Sequence, residues 1–146
     1  MTHKELVELA ARQLKRWHCI PVCTELVCYT RTGEVPDAIG WTANASILFE
    51  CKVSRADFIR DRKKVFREYQ SMGVGDFRFY LTEPGVIKSD AELSPGWGCY
   101  EVVRGRLKHK FGVRYDNAVP HPLVGSKTNE LIIMRSWVRR HQGELK

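Results

Sequence analysis

The 146-residue chain has no apolar run approaching the roughly 18 residues that span a bilayer. Its first segment, Met1 to Ala11, carries Lys4, Glu5 and Glu8, so it lacks the uninterrupted apolar core of a secretory leader. No membrane partner is therefore expected, and the cytoplasm is the expected compartment. No repeat, low-complexity tract or linker interrupts the sequence. Residues 1–146 are of a size to form a single domain with a real core. There is no C-x-x-C pair. The five cysteines are odd in number, so at least one has no partner within a monomer, and in a reducing compartment they are expected as thiols. Cys19, Cys23 and Cys28 gather near His18. A zinc or iron–sulfur site is one reading of that group. Thiols packed as small hydrophobes is the other, and the spacing favours it.

What is present is an ordinary apolar content of 43% and a net charge of +7. The charge is compatible with a polyanionic partner, and equally with a basic solvated surface. Apolar residues recur at helical spacing from Lys4 to Trp17, with Thr2 or His3 near the start. Three strands are predicted next, at Ile20 to Thr30, Val35 to Thr42 and Ser46 to Val53, and the short turns between them predict an antiparallel meander. The period then changes. Phe58, Arg62, Val65, Tyr69 and Met72 predict a helix over Arg55 to Met72, capped by Ser54 and stopped by Gly73 and Gly75. Asp76 to Thr82 alternates as a fourth strand. A hairpin is predicted at Gly98 to Val103 and Leu107 to Val113, and a last helix at Thr128 to Gln142 with a basic end. The fold class is α/β: helix, three-strand meander, helix and strand, followed by a C-terminal hairpin and helix.

One constellation stands out. Pro36-Asp37 is followed thirteen residues later by Glu50-Cys51-Lys52. Strand parity puts Ile47, Phe49, Cys51 and Val53 on a core face and Leu48, Glu50 and Lys52 on the other. Glu50 and Lys52 then lie about 7 Å apart along the strand. Charged groups on an otherwise apolar strand are costly unless they do something. Asp37 reaches Glu50 if the two strands pair through the Ala43–Ala45 turn. Two converging carboxylates and the Cys51 carbonyl suit Mg²⁺ or Mn²⁺. A bound cation can polarise a phosphoryl oxygen and acidify a water, while Lys52 orients that water or stabilises charge on the phosphate. The competing reading is a buried salt bridge between Lys52 and Glu50 or Asp37.

Asp37, Glu50 and Lys52 in this order and spacing resemble the PD-(D/E)XK nuclease superfamily. The run Glu50 to Phe58, then Asp61-Arg62-Lys63, Phe77 to Leu81 and Gly96-Trp97-Gly98, is similar to the MmcB-like DNA-repair group over about Glu25 to Val103. The resemblance implies a restriction-endonuclease-like core. It implies Asp37 and Glu50 as metal ligands and Lys52 as the catalytic lysine. Members of the superfamily often carry one more glutamate before the motif. Glu25 fits that role best, since it interrupts an apolar strand, with Glu5 and Glu8 behind it. The implied partner is DNA, with RNA left open. Junction-cutting relatives are often dimers, so a homodimer is compatible. Many such chains belong to phages and prophages, which leaves source and pathway open; the expected setting is the cytoplasm of a bacterial or phage-infected cell. The alternative is a nuclease fold that has gone idle and binds nucleic acid or protein.

The helix after the motif is basic. Arg55, beside Lys52, is the expected phosphate contact, and Lys63 matches the resembled segment. Tyr69 is expected in the core. Arg104 and Arg106 turn the hairpin within a second basic run, which suits either a nucleic-acid groove or a charge-protected sheet edge.

Overall fold

The computed structural model describes residues 1–64, 67, 69–117 and 120–145. The chain begins with helix α1 (His3–Arg16). Thr2 caps it by accepting from the Glu5 N–H at 3.1 Å, and the Glu5 carboxylate returns the bond to the Thr2 N–H. Strands β1 (Val22–Thr24), β2 (Ala38–Trp41) and β3 (Ser46–Lys52) follow, each antiparallel to the one before. The expected meander is therefore present, but its first two strands are short.

The cause of that shortening is local. Glu25 takes a left-handed φ of 46°, which takes the chain out of the extended conformation just after β1. Its N–H turns to the carbonyls of Pro36 and Asp37, at 3.2 and 3.1 Å. Residues 26 to 36 thus form a long loop off the sheet, where the sequence suggested strand and a tight turn.

Helix α2 (Arg55–Arg62) starts at Ser54, whose hydroxyl accepts from the Asp57 N–H as expected. It is shorter than the predicted Arg55–Met72 helix, with Lys63 at its C-cap and a separate 3-10 turn at Gln70–Met72. Positions 65, 66 and 68 of that prediction lie outside the described residues. Strand β4 (Phe77–Thr82) then runs parallel to β3, and β5 (Trp97–Val103) runs parallel to β4. A hairpin leads to β6 (Arg106–Gly112), the antiparallel edge. Positive φ at Arg104 and Gly105 gives the two-residue turn the hand that matches strand twist. Helix α3 (Lys127–Arg140) follows, with a 3-10 turn at Gln142–Leu145 after it.

The six strands lie in sequence order in one sheet. One face is covered by α1, through Leu6, Ala10 and Leu14 against Ile47, Phe49, Phe79 and Leu81. The other face packs Leu48 and Tyr80 against Phe58 of α2 and Ile133 of α3. The two faces of β3 follow strand parity, except that Val53 lies past the strand end and is 37% exposed. Cys19 belongs to the α1-side core and Cys23 to the opposite one, so these two thiols pack as hydrophobes on different faces. Burial pushes both up to about 12.

Two buried carboxylates fix α3. Glu130 accepts from the Ser46 hydroxyl and the Gly75 N–H, both at 2.9 Å. Asp76 accepts from the Ser46 and Gly125 N–H groups and from Lys127. No helix of the described residues is long and apolar enough to cross a membrane.

Candidate active site

Every residue of β3 is buried. Its C-terminal end carries Glu50 and Lys52 on the α2 side, as parity required. Pairing of Ala38 with Phe49 brings Asp37, one residue earlier, beside Glu50. Asp37 is anchored there: its Oδ2 accepts from the Cys51 N–H at 2.7 Å. Asp37, Glu50 and Lys52 line one cavity of about 350 Å³, together with His3, Asp57, Arg60, Asp61 and Lys64. The structure therefore brings the three motif residues together.

Glu25 also arrives at this point. Its left-handed backbone turns the side chain toward α1, where Oε1 lies 2.9 Å from His3 Nε2. The same imidazole nitrogen lies 3.4 Å from Asp37 Oδ1. Donor atoms of His3, Glu25 and Asp37 all fall within 4.8 Å of one another. Two carboxylates and an imidazole form a set that a divalent cation accepts, and the nitrogen suits Mn²⁺ better than Mg²⁺. This set shares Asp37 with the expected one but differs from it. The Cys51 thiol is buried in the α1-side core, and burial holds it well above its ordinary value.

Glu50 faces inward to a second group of charges. Arg67 is its centre, with side-chain exposure of only 2%. Its Nη2 lies 3.0 Å from Glu50 Oε1, its Nη1 2.9 Å from Glu34 Oε2, and its Nε 2.9 Å from Asp61 Oδ2. Trp97 stacks beneath the guanidinium, 4.9 Å from its ring centre. The Tyr80 hydroxyl donates to Asp61 at 2.6 Å. Lys52 Nζ then sits between the two carboxylates, 3.2 Å from Asp61 Oδ1 and 3.9 Å from Glu50 Oε2.

These neighbours divide the carboxylates. Burial raises Glu50 well above the usual glutamate value; Arg67 and Lys52 oppose the shift, while Asp37 and Asp61 add to it. Burial also works against Asp61, but Arg67, Lys52 and the Tyr80 hydroxyl outweigh it and hold that carboxyl below the ordinary range. Lys52 thus faces a firmly ionised partner on one side and, on the other, a carboxylate that gains from any added positive charge.

The expected nucleic-acid contacts do not converge here. Arg55 is engaged by Glu92, which accepts from both guanidinium ends, and it also donates to the Val86 carbonyl at 3.1 Å. That pairing gives Arg55 an acidic partner within the protein. Lys63 caps α2 and lines a different surface cavity, with Arg62, Tyr69 and Gln70. Tyr69 is 55% exposed, not in the core. Arg104 and Arg106 turn the β5–β6 hairpin, on the edge of the sheet opposite β1.

His3, Glu34, Asp61 and Arg67 complete the site beyond the motif. Glu34 sits in what reads as a polar turn, and Arg67 in what reads as a solvated helix face. The one available signal was indirect: two charges on an apolar strand require buried counter-charges from other segments.

No family model matches the chain, and no curated protein does. A solved structure of a protein of unknown function from Silicibacter pomeroyi is similar to it, with a TM-score of 0.62 and 22% identity over all of this chain and 92% of that one. At this identity the likeness concerns the fold alone.

Proposed function

We propose that the chain is a metal-dependent nuclease of the PD-(D/E)XK type, akin to the MmcB-like group, hydrolysing phosphodiester bonds in DNA on a restriction-endonuclease-like core. The order of helix, three-strand meander, helix and strand supports that core. The observation that carries the reading is the shared cavity lined by Asp37, Glu50 and Lys52. Asp37 is positioned by the Cys51 N–H, and Lys52 by Asp61. Asp37 and Glu25, with His3, would hold the cation; Glu50 would join them from the buried side. A bound Mg²⁺ or Mn²⁺ supplies a Lewis acid and a more acidic water. Lys52 would orient the attacking water and meet charge building on the phosphate.

One observation favours a second reading, an idle nuclease fold that binds nucleic acid or protein. Glu50 already faces Arg67 at 3.0 Å and so has a counter-charge without a metal. Incubation with single-stranded, duplex, mismatched and branched DNA, and with RNA, in the presence and absence of Mg²⁺ or Mn²⁺, separates the two. Metal-dependent cleavage that disappears in Asp37→Ala upholds the nuclease. Binding without cleavage under all these conditions upholds the idle module.

A further inference from the structure

The loop that carries Glu25 out of the sheet has a second face. Tyr29 is 99% exposed and Val27 67% exposed. Side chains this apolar usually turn inward, yet the segment that presents them is tied down at both ends. The Arg31 N–H donates to Asn129 Oδ1 at 2.8 Å, near the start of α3. Arg140, at the far end of that helix, donates to the Val27 carbonyl. Between these two ties lies a groove of about 710 Å³, walled by the loop on one side and α3 on the other.

The chemistry of the groove is one-sided. Arg135, Arg139 and Arg140 line it, and no carboxylate does. Among the residues whose side chains are described, none of the three arginines has an acidic partner. They are spaced so that Arg135 and Arg139 share one helix face. An exposed aromatic ring beside guanidinium groups is what a single nucleic-acid strand needs: a platform for a base and cations for its phosphates. The loop also leads straight to the site, since Glu25 at one end meets His3 and Glu34 at the other meets Arg67.

We propose that the groove between the 26–33 loop and α3 binds a single-stranded segment of nucleic acid, with a base stacked on Tyr29 and phosphates at Arg135 and Arg139. This rests on the nuclease reading for its purpose, since the groove would hold the strand that flanks the scissile phosphate. Its occupancy is independent of cleavage.

The test is fluorescence anisotropy with a short labelled single-stranded oligodeoxynucleotide in EDTA, where no cleavage can occur. Tyr29→Ala is expected to weaken binding about 5- to 150-fold, the range of one base–aromatic stack. Tyr29→Phe keeps the ring and should bind like the wild type. Arg135→Ala and Arg139→Ala should each reduce the slope of log K against log salt by about 0.7. Wild-type affinity in Tyr29→Ala would overturn the proposal, and so would an equal loss in Tyr29→Phe. Tight binding by a protein that never cuts would fail the nuclease reading and leave the groove standing. Normal cleavage with binding indifferent to Tyr29 would do the reverse.

Discussion

Arg67 and Glu50 meet at 3.0 Å with their side chains only 2% and 4% exposed. Glu50 itself lines the cavity that Asp37 and Lys52 line, so the pair joins that cavity to the buried charges. It explains how Glu50 is tolerated on a strand that is otherwise apolar. It also explains why Arg67 is held in its charged form: burial opposes that, but Glu50, Glu34 and Asp61 together overcome it.

Removing Arg67 leaves three buried carboxylates without their common counter-charge. Arg67→Met should therefore lower unfolding free energy by about 3–5 kcal/mol, as expected for breaking a buried ion pair from one side. Urea unfolding followed by circular dichroism measures it. A loss below about 1 kcal/mol, the size of a surface pair, would show that these charges are solvated.

His3 brings the only nitrogen to the His3, Glu25 and Asp37 set. His3→Ala should weaken Mn²⁺ binding by at least about tenfold, the loss that even outer-shell partners of a metal command. Mg²⁺ binding should fall less, because that ion prefers oxygen. Isothermal titration calorimetry with both ions reads the difference. Equal affinities in wild type and variant would place the ion elsewhere.

Parity along Ser46 to Lys52 and the spacing to Asp37 were enough to place the motif residues on one side of the sheet and around one cavity, because strand alternation is a local rule. Ser54 as a cap and the Arg104-Gly105 turn were legible for the same reason. Glu34 and Arg67 were not, and Asp61 stood out only as part of the segment resembling the MmcB-like group. Their roles depend on segments far apart in sequence meeting in the core, and each alone reads as a solvated charge. Arg55 sits beside the motif, and its pairing with Glu92, 37 residues away, was equally illegible. The strand expected through Thr30 failed at a single backbone angle, at Glu25, where the side chain gives no warning.

Asp76 ties acid stability to the docking of α3. Burial alone would raise its pKa, but the Lys127 ammonium and the Gly125 and Ser46 N–H groups prevail and lower it. The unfolded chain therefore takes up this proton at a higher pH than the folded one does. The contribution of Asp76 is complete above the ordinary aspartate value of about 4 and is lost as pH falls through the lower folded value. Asp76→Asn should be less stable than wild type at neutral pH. Between about pH 5 and pH 2 it should lose stability less steeply. Parallel acid limbs in the two proteins, measured by urea unfolding across that range, would contradict this.

The most direct measurement is single-turnover cleavage of DNA by wild type and Lys52→Ala, each first shown to be folded and to bind Mn²⁺. Lys52 lies between Asp61 and Glu50, at 3.2 and 3.9 Å, and its removal leaves the His3, Glu25 and Asp37 donors in place. The expected result is cleavage by the wild type and a rate lower by about 10²- to 10³-fold in the variant, the scale of losing one group that stabilises transition-state charge. Equal rates in the two proteins, or no cleavage by a metal-loaded wild type on any of the DNA forms, would contradict the nuclease.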